Sequence, residues 1–313
     1  MVHWKFDALD FDGDGDVDIE LGDLIADQKA LRATVLGPDE RPVPAVDVTI
    51  KSISLTGGAG KNSSFRVSAQ SDAAGVVDVA LVPGTYQVIL VPPDGDGAST
   101  SGAAQLEDAW IVAEDAQCCG KTFVLEPRPL LTGSVRTASG EVVPAVPVLA
   151  SPTLPGVRDY FSRALGALDV LPRQAAATTD ASGLFAMPVD AGTYDVTVRA
   201  PSGTGHPWLV LPATVVAPVA QQPGAPLGSL LLPSPAVIVG EATLQTETGL
   251  EIAAGAVVRA YLPLADAEDG APARVVAIGE VVTGDDGRFE LPLPPSIARG
   301  VRPAEGGLGG GMP

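Results

Sequence analysis

One order of features occurs three times along this chain, and that internal repeat restricts the fold more than any other property of the sequence. The copies open with RATVLGPDERPVPAVDVTI (32–50), LTGSVRTASGEVVPAVPVLA (131–150) and VIVGEATLQTETGLEIAAGAVVRA (237–260). Each reads as an alternating strand, a polar turn and a second alternating strand that begins near Ala45, Ala145 or Gly255. A turn and strand follow in each copy: SDAAGVVDVAL (71–81), TDASGLFAMPV (179–189) and TGDDGRFELPL (283–293). An Asp-x-x-Gly turn of this kind lets the aspartate cap its own backbone while glycine takes a positive φ before the strand.

Two copies continue into PGTYQVILVPPDG (83–95) and AGTYDVTVRAPSG (191–203), with Tyr86 and Tyr194 at matching places. Gly75 and Gly183 lie 108 residues apart, and so do Gly84 and Gly192. Both copies end in two further apolar stretches, within 109–127 and 208–233, which supply closing strands. The third copy has no Gly-Thr-Tyr strand and runs into SIARGVRPAEGGLGGGMP (296–313), whose glycines predict a flexible tail. Its sheet edge and part of its apolar face, including Val257, Val281 and Phe289, are expected to stay open. Helical periodicity is nearly absent after residue 33, apart from a candidate insertion at 156–171.

The expected organisation is an acidic loop with short flanking helices (1–30), β-sandwiches at 31–128 and 129–234, a partial sandwich at 235–300 and a tail at 301–313. The expected class is all-β, with three tandem Greek-key sandwiches behind a short helical N-terminal segment.

At these residues the chain resembles the carboxypeptidase regulatory-like domain, a transthyretin-like (prealbumin-like) β-sandwich. The second copy carries the likeness best, through Gly133, Val143, Pro144, Ala145, Val148, Thr179, Asp180, Gly183, Phe185, Gly192, Thr193 and Tyr194. The first matches at Pro42, Val43, Pro44, Val48, Asp72, Gly75, Pro83, Gly84, Thr85 and Tyr86. The third keeps Gly240, Gly255, Ala256, Val258, Thr283, Gly287 and Phe289 and then departs. The resemblance implies a fold, and it brings no catalytic residues with it.

The N-terminus holds the one sharp chemical motif. DFDGDGDVDIEL (10–21) places Asp10, Asp12, Asp14 and Asp16 at alternate positions, with Gly15 sixth and Val17 eighth. That resembles an EF-hand calcium loop, in which such oxygens meet a hard cation and glycine permits the bend. Leu21 stands at the twelfth position in place of the expected glutamate, and Glu20 comes one residue early. Asp23, two residues late, gives a loose likeness to dockerin loops. Eight acids between Asp7 and Asp23, with no base among them, repel one another unless a cation neutralises them. Calcium held by Asp10, Asp12, Asp14, Asp16 and Glu20 is the expected cofactor.

Other chemistry finds little support. GGAGKNSS (57–64) misses phosphate-loop spacing, because Leu55 and Asn62 stand where Gly and Ser/Thr are needed. His3 and His206 are the two histidines, neither with a ligand cluster, and no Gly-x-Ser-x-Gly elbow occurs. Cys118 and Cys119 are adjacent and cannot staple distant segments. A net charge of -19 repels nucleic-acid backbones and anionic membranes. Aromatics at 4% exclude a broad stacking platform. No apolar run spans a bilayer, and the start shows no signal peptide.

The expected function is a non-enzymatic structural or interaction protein of the bacterial cell envelope or exterior, stabilised by calcium at its N-terminus. Its partners are proteins, self-assembly through the third unit included. Two alternatives stand beside it: an accessory binding module of a larger secreted peptidase or glycosidase, and a subunit of a filament or injection-type assembly. The last would place the chain in the cytoplasm.

Overall fold

A computed structural model of the chain describes residues 2–4, 28–56, 63–93, 102–113, 115, 120–153, 170, 172–201, 204–220, 224–247, 249–264 and 274–295. Among them, every regular element longer than one residue is a strand.

The first unit holds seven strands of its own. They are β2 (Lys29–Leu36), β3 (Asp47–Leu55), β4 (Ser63–Gln70), β5 (Val76–Leu81), β6 (Gly84–Val91), β7 (Gln105–Val112) and β8 (Lys121–Val124). One sheet runs β4-β3-β6-β7 and the other β5-β2-β8, with β2 and β8 parallel. The second unit repeats this with β9 (Leu130–Thr137), β10 (Pro147–Pro152), β11 (Ala175–Thr178), β12 (Leu184–Pro188), β13 (Gly192–Val198), β14 (Leu209–Val216) and β15 (Gly224–Leu232). Its sheets run β11-β10-β13-β14 and β12-β9-β15, again with one parallel pair, β9 and β15. The two strand orders are identical. Period-2 alternation explains why: each strand turns one apolar row inward, and two sheets close over each row set.

The helical segment expected before the first unit is corrected by the described part of the N-terminus. Val2–Trp4 is a strand, β1, antiparallel to β4 with Val2 opposite Phe65 and Trp4 opposite Ser63. The outer edge of β4 offers ladder hydrogen bonds at once, whereas an isolated helical turn must meet a nucleation cost first.

Among the described residues the third unit is built differently from the first two. The third unit consists of β16 (Ala236–Glu241), β17 (Thr243–Thr246), β18 (Gly249–Ile252), β19 (Val257–Leu264), β20 (Arg274–Val282) and β21 (Arg288–Leu293). These make only two-stranded pairs: β16 with β21, β17 with β18, and β19 with β20. By position, β16, β19, β20 and β21 correspond to the first four strands of a complete unit. The counterparts of β6, β7 and β8 are absent among the described residues.

One local device recurs in all three units, and others recur in two of them. A hydroxyl pins the start of the second strand: Val46 N donates to Ser71 Oγ at 2.8 Å, and that hydroxyl donates to Val43 O at 2.8 Å. Thr179 does the same between Val146 N and Val143 O, and Thr283 between Ala256 N and Ala253 O. In the next turn, Asp72 Oδ1 accepts from the amides of Ala74 and Val76, and Asp180 Oδ1 from those of Ser182 and Leu184.

Size is traded across the first strand. Phe185 faces Gly133, and a Cβ on that glycine would lie 2.7 Å from the Phe185 ring. Phe289 faces Gly240 in the same way, with a Cβ 2.5 Å from the ring. The first unit puts Val77 opposite Ala33 and so fills the same space with two middling side chains. Tyr86 and Tyr194 are fully buried, and each hydroxyl donates to a carbonyl four residues back, on Val82 and Asp190. Burial pushes both phenols well above their ordinary range.

Candidate functional site

Among the described residues, no three His, Cys, Asp or Glu side chains lie together as a metal site requires. No described helix is long and apolar enough to cross a membrane. Two other places stand out: the seam between the first and second units, and the unclosed third unit.

The seam is built on Asp190, whose side chain is 1% exposed. It lies two residues past the end of β12 and meets Arg173, which precedes β11 and is itself buried. The guanidinium binds the carboxylate in a fork, Nε to Oδ2 at 2.9 Å and Nη2 to Oδ1 at 2.8 Å. The Arg173 amide adds a bond to Oδ2 at 2.9 Å. Arg128, in the Pro127–Pro129 linker, places its Nε 3.4 Å from Oδ1 with its side chain 4% exposed.

The first unit enters the same cluster through its backbone. Ala104 N donates to Asp190 Oδ1 at 3.1 Å. Arg173 donates in turn to Pro92 O at 2.8 Å and Gly102 O at 2.9 Å. Gly102 sits at φ 85°, and a Cβ there would meet Leu125 Cβ at 2.4 Å, so only glycine lets this backbone reach the arginine. Burial alone would raise the Asp190 carboxyl. The hydrogen bonds and charge of Arg173, with the Arg173 and Ala104 amides, outweigh it and hold the group below the ordinary carboxylate range. Chemically, this arrangement joins two domains; the carboxylate is enclosed and charged, unlike a proton-transfer acid.

The third unit shows the opposite condition. Of seventeen exposed large hydrophobic side chains among the described residues, nine lie between Val237 and Val282. The inward row of β19 (Val258, Ala260, Leu262) is only half-buried. Its counterparts Val48, Ile50, Val148 and Ala150 are fully buried, because Tyr86, Val88 and Leu90, or Tyr194, Val196 and Val198, cover them from the next strand. Val257 is exposed, while Val281 and Phe289 are half-buried against Ile278, Leu291 and Leu293. Val210 of β14 also packs on this cluster. A cavity of about 480 Å³ runs between the second and third units, lined by His206, Trp208, Val237, Val281 and Phe289 among others.

The sequence-derived ligands Asp10, Asp12, Asp14, Asp16 and Glu20 lie outside the described residues, as do Cys118, Cys119 and Asn62. His3 lies in β1. His206 is half-buried in the loop before β14, where its Nδ1 is enclosed without a hydrogen bond among the described residues. Arg173, Asp190 and Arg128 were not singled out from sequence, although one signal was available. Asp190 stands at the repeat position of Val82, a buried valine, so an acid there had to be paired.

No family model matches the chain, and no curated protein matches it. Among solved structures it is similar to the TIE protein of Bacillus anthracis, at 14% identity and TM-score 0.25 over 85% of this chain and 44% of that one. The chain thus spans less than half the length of that protein. It is also similar to the shaft pilin SpaA of Lactobacillus rhamnosus GG, at 15% identity and TM-score 0.30 over 67% of this chain and 99% of that one. A streptococcal ancillary pilin gives 10% identity and TM-score 0.24 over 85% and 87%. At such scores none of these likenesses decides fold or function.

Proposed function

We propose that the chain is a non-enzymatic structural subunit of an assembly at the cell surface or exterior, joined to its neighbours through the third unit. The observation that carries this is the third unit itself: three two-stranded pairs and, among the described residues, an open edge on β19 and nine exposed apolar side chains. The buried Arg173–Asp190 pair supports it, since a spacer needs its domains fixed to each other. The likeness to the carboxypeptidase regulatory-like domain belongs to the same reading. It is supported by the hydroxyl pins, the Asp-x-x-Gly turns and the Gly-Thr-Tyr strands shared by the first two units.

Light scattering on the full chain over a concentration series tests the proposal. Mass above that of the 31.7 kDa monomer is expected at high concentration, and removal of residues 235–313 is expected to abolish the increase. A full chain that stays monomeric, with the amides of β19 protected from exchange, overturns it.

Calcium at Asp10, Asp12, Asp14, Asp16 and Glu20 forms part of the proposal and rests on their spacing. Calorimetric titration of the full chain is expected to show calcium uptake that the Asp12→Ala, Asp14→Ala double variant loses. Bound calcium also stabilises the loop by about 2.7 kcal/mol at a hundredfold excess over Kd. No heat at millimolar calcium removes this part alone.

A further inference from the structure

In the complete units, β3 and β10 each have neighbours on both sides: β4 and β6 for the first, β11 and β13 for the second. Their counterpart β19 has β20 on one side and, among the described residues, no strand on the other. Residues 294–307 do not repeat the sequence of the Gly-Thr-Tyr strand. Where the Gly-Thr-Tyr strand begins within four residues of Leu81 and Pro188, the chain reads Pro294, Pro295 and then SIARGVRPAEGG. That stretch has no apolar–polar alternation in its sequence, and it carries Gly300, Pro303 and Gly306.

Strands left at an edge are ordinarily blunted with charge or proline. In β19 the only charge is Arg259, neutralised by Glu280 on the neighbouring strand at 2.5 Å, and the only proline is Pro263 near its end. Among the described residues the strand is therefore open to pairing along most of its length, and its sequence is self-complementary. Faces are kept when an antiparallel pair is centred on a single residue, because directly opposed residues point to the same side.

A centre at Arg259 sets two guanidinium groups against each other, which is unfavourable. A centre at Tyr261 sets Arg259 against Pro263. A centre at Ala260 sets Val258 against Leu262 on the inner, half-buried face and alanine against alanine between them. On the outer face it sets Arg259 against the exposed Tyr261 of the other strand, twice, as a cation–aromatic pair.

We infer that β19 pairs antiparallel with β19 of a second copy about a two-fold axis at Ala260, joining two third units into one four-stranded sheet. The inference rests on the reading of the third unit as the assembly end, and adds the partner and the register. Two copies of the same patch meet, as an isologous interface requires.

Cysteine pairing in the full chain tests it, in a background carrying Cys118→Ser and Cys119→Ser. Directly opposed residues lie within disulfide reach, about 4.5–5.5 Å between Cα atoms, whereas residues offset by two positions do not. Ala260→Cys is therefore expected to form a covalent dimer under mild oxidation, in roughly tenfold higher yield than Tyr261→Cys. Oligomers in the parent chain with equal or reversed yields overturn the register and this inference, while the assembly reading stands. A His3→Cys chain cross-linking to an Ala260→Cys chain in preference to the Ala260→Cys pair shows the N-terminal strand as occupant, and also overturns it. A parent chain that is monomeric by light scattering overturns both readings.

Discussion

Replacement of Asp190 by alanine is expected to lower the stability of the chain by about 3–5 kcal/mol, because it leaves two enclosed guanidinium groups without their carboxylate. Urea denaturation of the full chain gives the value, and a loss under about 1 kcal/mol would show the seam to be wet and weak. Asp190→Leu combined with Arg173→Met and Arg128→Met is expected to recover much of the loss, since apolar side chains of similar volume can stand in for a buried ionic cluster only when every charge in it is removed. The pair also carries a pH signature. The Asp190 carboxyl is held below its unfolded range. Its contribution is therefore fully present above the unfolded value of about 3.9, and disappears as pH falls through the lower folded value. Asp190→Asn lacks that acid limb, so its stability profile is expected to run flatter below pH 4 than that of the parent.

The second large effect lies in the core of the second unit. Phe185→Ala is expected to cost about 3–5 kcal/mol, since Gly133 opposite cannot fill the space the ring leaves. Gly133→Ala alone is also expected to destabilise, by about 1–3 kcal/mol, because its Cβ would press on the ring at 2.7 Å. Combining Gly133→Ala with Phe185→Val reproduces the Ala33–Val77 pair of the first unit. The double variant is expected to be more stable than Phe185→Val alone. Strict additivity in thermal denaturation would mean that the two positions do not share one volume.

How much of this was legible follows residue by residue. The 108-residue repeat placed the strands of the first two units, because turn glycines and inward-facing valines must recur wherever the same sheets recur. Thr179 and Asp180 were marked as turn residues, and the structure gives them distinct tasks: the hydroxyl pins the second strand and the carboxylate caps the turn. The departure of the third copy after Phe289 was visible too, as an absent Gly-Thr-Tyr. The seam was not legible in the same way. Arg173 sits just past a segment read as a helical insertion, and Asp190 looks like one more acid in a chain of 38 Asp and Glu. What distinguishes it is where it folds: at the place of Val82, under Tyr194 and against a neighbouring domain. Strand β1 was hidden for another reason. Three residues carry too little pattern to reveal a partner strand as distant in sequence as Phe65 is from Val2.

The seam also sets an order for synthesis. Ala104 N finds its acceptor on Asp190, 86 residues further along, and the carbonyls of Pro92 and Gly102 find their donor in Arg173. A ribosome releasing the chain from its N-terminus delivers the first unit with those groups still facing water. All of them are satisfied only after Arg173 and then Asp190, two residues past the fourth strand of the second unit, have emerged and turned inward. The first domain to appear is thus completed by the second, and a stall between residues 130 and 190 leaves it solvent-facing at the very surface that later disappears.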